Sequence, residues 1–109
     1  MRSARVYRNG QIAGILTEDD LGHYEFRYDD TWFSHAEMPS ISLTLPKTKQ
    51  VYSADHLFPF FFNLLSEGAN RDLQCRLLRI DQDDDFGLLL ATAMTDTIGA
   101  ITVEEIQEK

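Results

Sequence analysis

The residues with the most chemical potential stand together in Asp81-Gln82-Asp83-Asp84-Asp85-Phe86-Gly87. Asp85-Phe86-Gly87 spells the tripeptide with which protein kinases hold magnesium. That machinery also needs a glycine-rich loop over the phosphates, a strand lysine and an H-R-D catalytic loop followed by asparagine. None of these accompanies it, and His23, His35 and His56 all lack a following Arg-Asp. A calcium loop comes closer. Asp81, Asp83 and Asp85 occupy its first, third and fifth places, but the sixth, which needs glycine, is Phe86, and the twelfth, which needs glutamate, is Thr92. Carboxylates gathered before an apolar run have a simpler use. They accept from the free N–H groups of a helix start and favour its positive dipole end, with Phe86 as a core anchor.

The other candidates are weaker. Cys75 lies between Gln74 and Arg76 in a helical pattern and reads as a small packing residue. As the single cysteine it forms no intrachain disulfide. His35 and His56 show no metal-ligand spacing. Ser34-His35 is an adjacency without a G-x-S-x-G turn. No catalytic, cofactor-binding or metal-binding residue is therefore expected. Trp32, the sole tryptophan, follows Tyr28-Asp29-Asp30 and precedes Phe33. It reads first as a half-buried residue after a strand, and second as an interface anchor of the kind aromatic side chains supply.

The elements that position these residues follow from periodicity. "ARVYRNGQIAGIL" is a hairpin around Asn9-Gly10, the pair suited to a type I′ turn. "HYEFRY" sets Tyr24, Phe26 and Tyr28 on one face, and "ISLTLP" does the same for Ile41, Leu43 and Leu45 before Pro46 ends it. "IGAITVEEI" supplies a closing strand. From Val51 onward the chain reads mostly as helices. Pro59 opens one, Gly68 stands just past its end, and Phe58, Phe61, Phe62 and Leu65 share its buried face. Phe60 and Leu64 fall on the flank, so the apolar sector is wide. Asn70 caps a second helix with Leu73, Leu77 and Ile80 inward. A third starts within Asp83 to Asp85 and buries Phe86, Leu89, Leu90 and Ala93. The expected fold class is α+β, a small antiparallel sheet packed with short helices in one domain over 1–109.

Composition bounds the function. The 109 residues are 43% apolar and carry a formal net charge of −8. A chain of this size buries roughly two-thirds of its unfolded surface, enough for a core without staples. The acidic balance, with scattered basic residues, disfavours direct nucleic-acid binding. No apolar run suits a signal peptide or a membrane span, so a cytoplasmic protein is expected.

Five stretches in order carry a family resemblance: "VYRNGQIAGIL", "YEFRYDDTW", "ISLTLP", "FFFNLLSEGANR" and "DFGLLLATAMTDTIGAITV". Together the set resembles the N-terminal subdomain of HipA-type serine/threonine kinase toxins. The most telling pieces are the FFxNLLxEG block, with Ser66 where the family has proline, and the D-x-x-G-A set from Asp96 to Ala100. The resemblance implies that the kinase core, with its catalytic lysine and ATP-binding loop, has no counterpart here. Beginning at Met1 and ending in "EEIQEK", the chain is expected to be a free-standing version of that subdomain. In this it is similar to HipS, the antitoxin of tripartite systems. The implied function is inhibition of a HipT-like kinase in trans, in a complex with a HipB-like DNA-binding protein. The alternative is a noncatalytic subunit or scaffold that completes the kinase fold or supports repressor assembly. Trp32, Phe33, Phe60 and Leu64 are the expected partner contacts.

Overall fold

The computed structural model describes residues 2–65, 68–92 and 101–106. Its frame is one antiparallel sheet of five strands: β1 (Arg2–Arg8), β2 (Gln11–Glu18), β3 (Tyr24–Tyr28), β4 (Val51–Ala54) and β5 (Ile101–Ile106), in the spatial order β4-β3-β2-β1-β5. Among the described residues four short helices accompany it: α1 (Asp30–Ser34), α2 (Pro59–Phe62), α3 (Gly68–Leu78) and α4 (Asp85–Thr92).

The hairpin forms as expected. Asn9 and Gly10 take φ of 52° and 80°, the left-handed pair that matches the twist of two joined strands. A bulge between Val6 and Tyr7 inserts Ala13, which is fully buried. Strict alternation then divides the sheet. Ala4, Val6, Leu16, Phe26, Tyr28 and Val103 are buried on the helix-bearing face. Arg5, Tyr7, Ile15, Thr17, Arg27 and Glu104 lie on the other, with Arg5 Nη1 3.3 Å from Glu104 Oε1. An antiparallel sheet with one solvated face has this pattern.

Several expectations about the elements need correction. Residues 41–46 form a turn, not a strand. The Ser42 hydroxyl accepts from Thr44 N–H at 3.1 Å and the Ser42 carbonyl from Leu45 N–H at 3.1 Å, a local bonding pattern that competes with a ladder. Ile41 and Leu45 are buried, while Leu43 is 98% exposed. The strand next to β3 is instead β4, hidden in a stretch read as the start of the helical half. Pro59 does open a helix, but α2 has only four residues. Leu64 N–H and Leu65 N–H then donate to Phe61 and Phe62 carbonyls, turning Leu65 into the core. Gly68 begins α3 and does not end α2, and Asn70 lies inside α3 rather than capping it.

Tyr28 pins the irregular segment. Its buried hydroxyl donates to Leu45 O and accepts from Ile41 N–H at 3.1 Å. Burial raises its pKa above that of an exposed phenol. Tyr52 adds a hydrogen bond to Pro46 O at 2.6 Å. Tyr28→Phe leaves a buried N–H and carbonyl unpaired at the 41–45 turn, so it should lower unfolding stability by about 1–3 kcal/mol in urea titrations.

Candidate interaction surface

The aspartate run is a structural joint. Asp84 caps α4, its Oδ1 accepting from Gly87 N–H at 3.0 Å. The same carboxylate takes two bonds from Arg2, Nη1 to Oδ2 at 3.0 Å and Nη2 to Oδ1 at 2.7 Å. Arg2 also grips Glu18 Oε1 through Nε at 2.9 Å and Nη2 at 2.6 Å, while its guanidinium sits 5.2 Å from the centroid of the Phe86 ring. Tyr24 donates to Glu18 Oε2 at 2.6 Å and meets Phe86 edge to face. Burial, then the bond to Glu18, push the Tyr24 phenol well up. At Gly87 the absence of a Cβ leaves room for the folded-back Asp84 carboxylate, which a larger residue would displace. Asp85 pairs with Arg71, and Asp81 Oδ1 accepts from Asp83 N–H at 3.0 Å. The Asp-Phe-Gly tripeptide is thus a helix start, a fully buried ring and a residue without a side chain to clash.

Among the described residues no group of three or more His, Cys, Asp or Glu is placed to hold a metal ion. Cys75 is buried. Ser34 Oγ donates to Thr31 O at 3.2 Å, and the His35 carbonyl accepts from Lys47 Nζ at 2.7 Å. His56 is exposed beside Asp55. Among the described residues no helix is long and apolar enough to cross a membrane.

Two of the four expected contact residues, Phe33 and Phe60, lie at the two ends of one row of rings. Asp29 caps α1 by accepting from Thr31 and Trp32 N–H. Trp32 is only 4% exposed and donates its indole N–H to Pro39 O at 3.0 Å. The part of it that faces outward helps line an open pocket of about 430 Å³ with Ile12, His35 and Met38. Phe33 is half-buried, 6.3 Å from the Tyr28 ring centroid. From Tyr28 the row runs through Phe26 at 5.0 Å and Phe61 at 5.7 Å to Phe60 at 5.1 Å. Phe60 and Leu64 are half-buried against the core. Phe62, expected in the buried stripe, is 41% exposed.

The largest departure lies on α3. Leu73 and Leu77, expected inward, are 51% and 72% exposed, and Leu78 is also exposed. The inward side is set by Cys75, buried, and by Arg71, whose side chain is held by Asp85 and by Gln82 O. That ion pair rotates the helix away from the arrangement leucine spacing suggests. The helix stops at Leu78 with Arg79 in the left-handed region, φ 56°, and Ile80 N–H bonded back to Cys75 O at 2.9 Å. Glycine is usual at this position, and a side chain there costs about 1–2 kcal/mol. The inverted leucines are what sequence reasoning missed. The signal for them was a cysteine one turn after an arginine, matched by an aspartate outside the helix.

A family profile described as HipA N-terminal domain matches residues 4–104. The N-terminal domain of HipA toxin superimposes with a TM-score of 0.74 at 29% identity, covering 100% of this chain and 96% of that one. A protein named putative kinase Y4mE, from Sinorhizobium fredii, is 32% identical over 89 residues, which are 82% of this chain and 21% of that protein. The chain thus spans about a fifth of that relative. An uncharacterized protein of Haemophilus influenzae is 31% identical over 106 residues, 96% of this chain and 93% of its own length.

Two measurements check the geometry. Hydrogen bonds from Arg2, followed by the Gly87 N–H bond, hold the Asp84 carboxyl below its usual pKa against the opposing effect of burial. A depressed pKa stabilises the fold above the unfolded value of about 4, and that contribution is lost as pH falls through the folded value. Urea midpoints should therefore drop more steeply below about pH 4 in the native protein than in Asp84→Asn, whose side chain has no carboxyl to titrate. Separately, Trp32→Ala should cost about 3–5 kcal/mol of stability, whereas Phe62→Ala should stay within about 1 kcal/mol.

Proposed function

The chain belongs to the HipA N-terminal domain family, and from that premise we propose that it is an antitoxin. It binds a HipT-like serine/threonine kinase in trans and holds it inactive, in a complex that includes a HipB-like DNA-binding protein. The observation that carries this reading is the double occurrence of the domain. It forms about a fifth of a protein named a putative kinase and nearly all of a small protein from another bacterium. The part of HipA it matches is the N-terminal domain, not the kinase catalytic region.

The physical support is surface chemistry. A domain that packs on a kinase core in one chain needs a complementary apolar face, and the same face serves when the two are separate chains. The helical side supplies one. Phe62 is exposed, and Phe60 and Leu64 are only partly covered. Phe33, half-buried on α1, and Trp32, reached through the pocket beside α1, are further contacts.

The test is autophosphorylation of the cognate short kinase with and without excess of this protein. The signal should fall as a stable complex forms, and Phe62→Ala should weaken that inhibition about tenfold, the effect of losing one interface anchor. An unchanged or rising signal despite binding would replace the antitoxin reading with that of a scaffold or activating subunit.

A further inference from the structure

β4 is one border of the sheet, with β3 on one side and, among the described residues, no strand on the other. The register tells which of its backbone groups face outward. Tyr28 N–H donates to Gln50 O at 2.9 Å, and Phe26–Tyr52 and Tyr24–Ala54 continue that alternation. Residues between such pairs in an antiparallel ladder turn both backbone groups away from the neighbour. Val51 and Ser53 therefore point their N–H and C=O groups outward, and these have no partner among the described residues. Beside this border a hollow of about 530 Å³ is lined by Thr17, Glu25 and Ser53, one cross-strand row of the solvated face, and by Asp19 and His23. From this juxtaposition we infer that the border of β4 receives an extended segment of the kinase partner as an added strand. A lysine or arginine of that segment lies across Ser53 and meets Glu25. The inference rests on the kinase-binding reading and adds to it the place of contact and the chemistry received there.

β4 carries no charged residue, proline or register shift, the devices that keep a border strand from pairing, and only its brevity limits it. An added strand satisfies the outward groups, but two residues supply few hydrogen bonds, so a side chain must select the segment. Cross-strand partners share a face, which sets the residue opposite Ser53 in line with Ser53, Glu25 and Thr17. It stands two strand spacings from Glu25, about 10 Å. Ser53 is exposed and too small to block that path, and the long stem of a lysine or arginine can lie along it. Charge selects the sign. Glu25 is exposed, and its side chain has no hydrogen-bond or ion-pair partner among the described residues. Asp19 already accepts from Leu21 and His23 N–H at 2.8 and 2.9 Å. Nearby cations are engaged elsewhere. Arg27 is 3.1 Å from Asp30, and Lys49 Nζ lies 5.2 Å from the centroid of the Tyr52 ring, a side chain of the opposite face. A second copy fits less well, since it brings a net charge of −8 and its own Glu25 to the same border.

Residue-resolved amide hydrogen exchange, on the free chain and on its complex with the cognate short kinase, reads the border directly. In the free chain Val51 and Ser53 should exchange quickly and Tyr52, bonded to β3, slowly. In the complex, exchange at Val51 and Ser53 should slow at least about tenfold. Calorimetric titrations at about 50 and about 500 mM salt test the charge. Glu25→Lys should weaken binding at least about tenfold and flatten its salt dependence. Asp72→Lys, the same change of charge at an exposed position of α3, should stay within about threefold. Ser53→Pro removes an outward N–H and leaves the bonds to β3 intact, so the chain should stay folded and bind at least about tenfold more weakly.

Binding with unchanged exchange at Val51 and Ser53 would overturn the inference and leave the kinase reading standing. Protection that Glu25→Lys does not weaken would overturn it too, because the segment then brings no cation to that carboxylate. A native protein that does not bind the kinase at all removes both readings. Self-association, seen by sedimentation and abolished by Ser53→Pro, makes a second copy the occupant and also overturns it. Should Ser53→Pro lose its urea transition, the exchange data and Glu25→Lys decide.

Discussion

The fold is arranged around a side chain that is absent. Gly14 lies opposite Tyr28 in the pairing of β2 with β3, and the Phe26 ring occupies the space above it. A Cβ at position 14 would stand 2.6 Å from Phe26 Cζ, closer than carbon atoms approach. With that room, Phe26 lies where it meets Tyr28 on one side and Phe61 on the other. Phe61 brings α2 to the sheet, and Tyr28 holds the 41–45 turn through its hydroxyl. The rings at both ends of this row, Phe33 and Phe60, are those that reach toward the surface. Close packing makes the chain of contacts stiff, because no member can move without opening a void.

A second joint works by charge. Arg2 on β1, Glu18 on β2 and Asp84 at the start of α4 form one cation between two carboxylates, roofed by Phe86. These side chains are partly exposed, so each pair alone contributes little to stability. Their geometry is the greater effect. Arg2 uses three nitrogens and reaches both partners in a fork that a lysine does not offer. This fixes where α4 begins, and α4 in turn packs on β5 and α2. Asp81, Asp84 and Asp85, from the run that resembles a metal or kinase motif in the sequence, are therefore engaged by the fold's own cations and N–H groups.

The division of labour across the molecule follows. One face of the sheet is solvated and polar, and the buried face carries the rings. The helices, short and thinly covered, keep apolar side chains at the surface. A chain of 109 residues has more surface for its core than a large domain, which leaves several large apolar side chains of the described residues exposed. Membership in the HipA N-terminal domain family gives that surface a biological frame, since the domain is found both joined to a longer protein and nearly alone.

The hairpin at Asn9-Gly10, the Tyr24-Phe26-Tyr28 face, the closing strand, the Pro59 helix start and the cap before Phe86 were all legible from residue types and spacing. Each is decided within a few residues, by dihedral preference, period or capping. The buried positions Phe61, Phe86, Leu89 and Leu90 were legible for the same reason; Ala93 and the Asp96–Ala100 motif lie outside the described residues. Tertiary structure decided the rest. Ile41 to Leu45 alternates like a strand, yet Tyr28 from a distant strand and Ser42 from within bond its backbone as a turn. Val51 to Ala54 became a strand only because β3 offered an edge. The leucines of α3 point outward because Arg71 pairs with Asp85, 14 residues away. Trp32, preceded by three polar residues in the sequence, can be buried because Pro39 supplies a carbonyl for its indole N–H. Local preference is fixed by neighbours along the chain, whereas the facing of a helix or a ring depends on partners that only the folded chain brings within hydrogen-bond reach.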